Sequence, residues 1–406
     1  VGCFEQALVA LEHLPESRAT TEQAIDLRLG LRPALTALGE APGRILDHLR
    51  RAETLAQTLG DPLRLGRVSA DMGATFWAAG EVHRAIVYGQ RALAAAATLG
   101  HVGLQVQAHL ILGRAYYDTG AYPQAVESFE RNVATLQGDL LYERFGTNGI
   151  VVAAISRAWL SLCHAERGAF TEGLAMAEEG LRIAETGNHP FSLIVVYNGV
   201  GVLYRRQRDM HRAISMLERA MDLCQDWHIP LFLPRQTAAL GLAYALEGRV
   251  AAGLELVEHG VEQAVAAGIP RDLALVVTCL SEASLLAGRL EDAHQRAAQA
   301  LDLARQYQQR GQQAWALWLL GESMARQASP EVESATGHYR QALALAEALG
   351  MRPLQAHCHR SLGTLYARQG QRQHARAALA TAIALYRDMA MTFWLPQAEA
   401  VLAQVG

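Results

Sequence analysis

Gly113-Arg-Ala-Tyr-Tyr-Asp-Thr-Gly120-Ala-Tyr-Pro-Gln-Ala125 sets a small residue seven positions before a glycine and another five positions after it. The spacing recurs. With Gly80, Gly120, Gly168, Gly248, Gly288 and Gly370 as markers, the intervals are 40, 48, 80, 40 and 82 residues. Each long interval holds two units, with Arg208 and the stretch 328–330 standing at the missing turns. Before the turns come Gly73, Gly113, Ser161, Gly201, Gly241, Ser281 and Gly363. After them come Ala85, Ala125, Gly173, Ala213, Gly253, Ala293 and Ala375. Small residues at these offsets let two helices approach closely across a tight turn. The chain therefore reads as all-α, a right-handed superhelical solenoid of antiparallel helix pairs.

The pairs Gly113/Tyr116, Gly201/Tyr204, Gly241/Tyr244 and Gly363/Tyr366 put a G-x-x-Y on the first helix, opposite a small residue on the second. That pattern resembles the tetratricopeptide repeat. A solenoid grows by adding units and has no single core to saturate, so 406 residues need not divide into globular domains. Residues 1–62 read as partial and degenerate repeats, beginning mid-unit. Phe4-Glu-Gln-Ala7-Leu8 aligns with Tyr339-Arg-Gln-Ala342-Leu343, which lies in a second helix. The expectation is a piece of a longer protein. Residues 63–390 hold eight repeats of about 40 residues, and 391–406 form a capping helix. Second helices should stop at Gly60, Gly100, Gly187, Gly268 and Gly350, with Pro62, Pro190, Pro270 and Pro353 restarting the chain. Between Gly120 and Gly168 the spacing grows by eight residues, through Gln137–Gly149. Insertions in solenoids map to loops on one face, and such a loop would be either a working surface or a tolerated linker.

Composition excludes several functions. All 36 basic residues are arginine, so neither a P-loop lysine nor a lysine Schiff base is possible. A net charge of −4 gives no electrostatic case for nucleic acid. Repeat stacking accounts for the apolar stripes, no run approaches the length of a membrane span, and no signal peptide opens the chain. The protein reads as soluble and cytoplasmic. Five single cysteines, Cys3, Cys163, Cys224, Cys279 and Cys358, read as buried small hydrophobes and give neither a disulfide framework nor a zinc site. His357-Cys358-His359 cannot chelate well from a helix, because i and i+2 point to different faces. With no GxSxG, no HExxH and no convincing strand, the chain reads as non-catalytic, without metal or cofactor.

The informative surface is the inner wall, lined by the first helix of each pair. Its exposed stripe falls at −6, −3, +1 and +4 from the packing small residue. That gives Arg67 and Trp77, then Gln107, Arg114 and Tyr117, then only apolar residues (Ile155, Ala158, Leu162, Ala165) in the third regular pair. Asn198 and Arg205 follow, then Arg235, then Thr278 and Glu282. The last two pairs supply Trp315, Trp318 and Glu322, then His357, Arg360 and Thr364. Arginine, aromatic and amide groups are enriched where binding energy concentrates, and arginine suits an anionic ligand group. Trp315 and Trp318 beside Glu322 would suit a ring or an apolar anchor. A protein or peptide partner, or a small-molecule effector, is the expected occupant of this groove.

Several phrases carry a narrower resemblance. They are Ala24-Ile-Asp-Leu-Arg-Leu29, Gly138-Asp-Leu-Leu with Glu143-Arg-Phe-Gly146, and Arg157-Ala-Trp-Leu160. Further on stand His189-Pro-Phe-Ser-Leu-Ile194, His338-Tyr-Arg-Gln-Ala-Leu343 and Met391-Thr-Phe-Trp-Leu-Pro-Gln-Ala-Glu399. Together they resemble the C-terminal tetratricopeptide region of bacterial STAND-type predicted ATPases, many linked to adenylate/guanylate cyclase domains, and the repeat arms of large LuxR-type activators. The resemblance implies a sensor arm whose intramolecular partner is an NTPase module, with the NTPase and cyclase chemistry lying N-terminal to this segment. It implies no nucleotide-binding residue here. Chaperone-binding relatives grip a carboxylate with lysine, which this chain lacks, so that role is not expected.

Overall fold

A computed structural model describes residues 1–268, 270–327 and 331–405. Among them the chain is almost entirely helical. Three helices open it: α1 (Gly2–Glu12), α2 (Arg18–Ala37) and α3 (Pro42–Leu59). The first regular pairs are α4 (Pro62–Ala78) with α5 (Val82–Leu99), and α6 (Val102–Asp118) with α7 (Tyr122–Thr135). After the insertion come α8 (Val152–Arg167) with α9 (Phe170–Gly187), and α10 (Pro190–Gln207) with α11 (Met210–Asp226). Then follow α12 (Leu233–Glu247) with α13 (Val250–Ala266), and α14 (Pro270–Leu286) with α15 (Leu290–Gln306). The last are α16 (Arg310–Ala325) with α17 (Val332–Leu349), α18 (Arg352–Arg368) with α19 (Arg372–Asp388), and a final α20 (Leu395–Val405).

The recurrent glycines act at the turns. All six markers have positive φ, and Arg208 takes the same left-handed conformation at φ 66°. The turn expected at 328–330 lies outside the described residues. Gly60, Gly100, Gly268 and Gly350 likewise end or follow second helices in the left-handed region, whereas at the fifth expected stop Asn188, not Gly187, takes it. Asn tolerates that conformation better than most residues, because its short amide bonds locally. At the joint between α3 and α4, Asp61 accepts from the backbone N–H of Leu63 and Arg64, and Pro62 sits in the first turn where its missing N–H costs nothing. The small packing residues close the pairs. A Cβ on Gly241 would stand 2.7 Å from the Gly253 carbonyl, so α12 and α13 touch backbone to backbone.

First helices pack on one another along the inner wall and second helices lie outside. The superhelix is tight. After five pairs it returns on itself, so that α4 meets α14 and α8 meets α18. The first-turn markers form this seam: Gly80 faces Tyr307, Gly120 faces Leu349 and Arg310, and Gly168 faces Met389 and Pro353.

Two local expectations change. Cys3 is exposed, while the other four cysteines are buried as free thiols. The insertion, read without strands, contains a 3₁₀ turn over Gly138–Tyr142 and a hairpin of β1 (Arg144–Phe145) and β2 (Ile150–Val151). Its strand residues Phe145 and Ile150 are buried in the adjoining core. Its tip reaches α2 and α4: Arg32 donates to Thr147 Oγ1 and Asn148 Oδ1, both at 2.8 Å, and pairs with buried Asp71. Thr147 also donates to Asp71 at 3.1 Å.

Candidate functional site

Because the superhelix closes, its inner stripe lines a lumen and not an open groove. The stripe residues divide into three places. Arg67 and Gln107 stand apart, beside the insertion, in a cavity of about 460 Å³ shared with Asp26, Asp71, Arg144 and Thr147. Trp77, Arg114, Tyr117, Asn198, Arg205 and Arg235 come together around the lumen. Trp315, Trp318, Glu322 and His357 form a third group at the C-terminal wall, bordered by Arg360. Glu282 is half-buried, and its charge acts on Arg205, Arg206 and Arg208.

The lumen holds two adjoining cavities of about 60 and about 80 Å³, which share Leu162, Asn198, Arg235 and Arg271. Such volumes hold a handful of waters or one compact group, not a helix. The larger cavity is mostly apolar, walled by Trp77, Trp159, Phe191 and Phe232. Phe191 and Phe232 meet edge to face with centroids 4.7 Å apart. Arg114 and Arg271 lie over the Trp77 ring at 4.8 and 3.9 Å, and Trp77 donates to Asp118 at 2.8 Å. The smaller cavity is the more polar of the two, with Arg205, Arg206, Arg235 and Arg271 beside Asp118 and Glu166 in its lining.

Charge there is unevenly matched. Asp272, behind the wall, binds both Arg235 at 2.6 Å and Arg271 at 2.9 Å, which holds its carboxyl low against burial. Glu166 accepts from Arg206 at 2.9 Å and from the Trp315 indole at 3.1 Å, joining α8 to α16 across the seam. Arg114 and Arg205, only 8% and 7% exposed, make no hydrogen bond or ion pair among the described residues. Burial, then the like charge of Arg271, pushes the Arg114 guanidinium down to about 9, and burial lowers Arg205 too. A buried cation without a matched anion is costly.

The C-terminal wall is the opposite case. Trp315 and Trp318 pack edge to face at 5.9 Å, and both lie within about 6 Å of the His357 ring. Trp318 donates to Ser361 at 3.2 Å, Ser361 donates to Glu322 at 2.6 Å, and Tyr339 donates to the same carboxylate at 2.9 Å. Arg326 pairs with its other oxygen at 2.6 Å. Against burial, Arg326 and Arg360 hold Glu322 below the usual carboxylate range. His357 Nδ1 lies 2.8 Å from the Tyr386 hydroxyl. These residues are engaged in packing.

The third regular pair, read as apolar, supplies Trp159 and Glu166. Asp118, Glu166 and Arg206 all sit at +5 from the packing small residue, one position beyond the stripe. Widening the stripe by that position finds them. Among the described residues no group of three or more His, Cys, Asp and Glu is placed to hold a metal, and no helix is long and apolar enough to cross a membrane.

Fold and wall together define an all-α solenoid of tetratricopeptide-like helix pairs, wound around a charged, aromatic lumen. The tetratricopeptide repeat family model matches residues 197–226, and no curated protein matches the chain. Among solved structures, the Rap protein complexed with competence and sporulation factor is similar, with a TM-score of 0.67 at 15% identity over 85% of this chain and 92% of that one. The Rap conjugation gene regulator of plasmid pLS20, in complex with the Phr* peptide, gives 0.54 at 12% over 90% and 97%. A STAND protein with a tetratricopeptide repeat sensor from Pyrococcus horikoshii gives 0.48 at 14% over 96% and 55%. At these identities the likeness is one of fold.

Proposed function

We propose that this chain is a non-catalytic, ligand- or protein-binding sensor region of a larger cytoplasmic signalling ATPase or cyclase, organised as 1–62, 63–390 and 391–406. One observation carries the binding part: two buried guanidiniums, Arg114 and Arg205, face the lumen with no acceptor. An occupant bringing negative charge would relieve them and tie α6 to α10 across the lumen. A ligand held more tightly when the seam is closed would shift the population between open and closed forms. That shift signals only if the ligand binds the two forms with different affinity. The ATPase and cyclase context rests on the sequence phrases given above.

A thermal-shift screen of the chain against nucleotides, sugars, amino acids and short peptides tests this, repeated with Arg114→Ala, Arg205→Ala and Trp318→Ala. The expected result is a stabilising compound whose effect both arginine variants abolish. A blank screen, with stabilisation only by the NTPase portion or another protein, would favour a second reading, a passive scaffold. The Rap conjugation gene regulator of like fold, in complex with the Phr* peptide, supports that reading. A peptide would need the lumen to widen beyond its present cavities.

A further inference from the structure

The chemistry left open on the lumen wall is one-sided. Six buried donor atoms lack an acceptor: Nε of Arg114, Arg205 and Arg206, Nε and Nη1 of Arg271, and Nε1 of Trp159. One buried acceptor on the same wall, Gln309 Oε1, lacks a donor. Buried polar groups in proteins are almost always partnered, so this surplus marks what an occupant must bring. It must bring acceptors, and with five arginines against Asp118, Glu166, Asp272 and half-buried Glu282 it must bring negative charge. The guanidinium fork matches a carboxylate or phosphate edge with two parallel bonds.

The second half of the specification is apolar. Trp159, Phe191 and Phe232 wall the larger cavity, which adjoins the arginines through Asn198, Arg235 and Arg271. Trp159 also packs edge-on against Trp77 at 5.9 Å and Tyr117 at 5.2 Å, so the wall is already arranged for edge-to-face contact with another ring. The cavities fit one compact ligand and no peptide strand.

We infer that the lumen binds a small anion carrying a flat ring, with the anionic head where the two cavities adjoin, Arg114 lining one and Arg205 the other, and the ring against Trp159, Phe191 and Phe232. This rests on the sensor reading and narrows it to a ring-bearing carboxylate or phosphate ester. Both sources share the head-group chemistry.

Isothermal titration of the purified chain with indole-3-acetate, phenylacetate and phenyl phosphate tests it, with indole-3-acetamide and cyclohexylacetate as matched controls. At least one ring-bearing anion should bind at one per chain, at least tenfold tighter than the amide and severalfold tighter than the cyclohexyl acid. Arg114→Gln and Arg205→Gln should each weaken that binding tenfold or more, whereas Arg91→Gln, on the outer surface, should not. Equal affinity for acid and amide, or no loss in either lumen variant, would overturn the inference. Binding of a peptide with no response to any ring-bearing anion would also overturn it while leaving the sensor reading standing. If neither anions, peptides nor the NTPase portion bind, both fail.

Discussion

The two walls of the lumen carry the same kinds of residue and do opposite things with them. On the C-terminal wall every oxygen of Glu322 is taken, by Tyr339, Ser361 and Arg326, and the tryptophans close over the ensemble. On the wall formed by α4 to α14 the aromatic rings are comparable, yet Arg114 and Arg205 have no acceptor. Residue type alone therefore does not separate a packing cluster from a binding surface. Satisfaction does: a completed network rigidifies the fold, and an incomplete one is poised for something absent. Substitutions in the two walls should consequently differ in sign.

The largest effect belongs to the completed wall. Glu322→Ala strands the Tyr339 hydroxyl and Ser361 and leaves Arg326 without its partner. Breaking a buried, paired carboxylate in this way costs about 3–5 kcal/mol. Urea denaturation should show the midpoint falling accordingly, and a change within about 0.5 kcal/mol would mean that this wall is as loosely matched as the other.

How much of this was legible in the sequence depends on distance along the chain. The helix pairs were, because Gly113 facing Phe129, or Gly241 facing Gly253, is a contact between neighbours whose spacing the repeat fixes. The stripe through Trp77, Arg114, Tyr117, Asn198, Arg205 and Arg235 was legible for the same reason, since helical periodicity says which residues share a face. Closure was not. The bond from Trp315 to Glu166 joins residues 149 apart, and it exists only because small rotations between pairs accumulate over five of them. No local pattern encodes that sum, so Trp315 and Trp318 read as an open surface when they are packed. The hairpin escaped for the opposite reason. Two strands of two residues are too short to display a period.

A second test sharpens the contrast through pH. Burial first, then Arg360, Arg206 and Arg208, push His357 well below its ordinary value, so the folded protein holds it neutral. Its folded value lies below the unfolded one. Its contribution is therefore complete above the unfolded value of roughly 6.5 and declines as pH falls below that, by about 1.4 kcal/mol per pH unit. His109, His164 and His189 are shifted the same way, so the wild-type protein should lose stability more steeply than one histidine requires. Comparing urea midpoints at pH 7.5, 6.5 and 5.5 for wild type and His357→Gln isolates this residue. The variant should show the shallower slope, and parallel slopes would mean that the completed wall admits a proton freely.

The smallest effect is the most discriminating, because its sign is unusual. Arg114→Met keeps the unbranched apolar stem, gives up the guanidinium's contact with the Trp77 and Trp159 rings, and removes a buried charge that no carboxylate pairs with directly. Replacing buried ionic groups with apolar ones of similar volume is often neutral or stabilising, and here about 1 kcal/mol of added stability is expected without ligand. The urea midpoint should rise slightly, whereas removing a charge from the opposite wall lowers it. A loss of several kcal/mol in Arg114→Met would show that Arg114 holds the lumen together through Asp118 and the Trp77 ring, and the two walls would then differ in composition but not in kind.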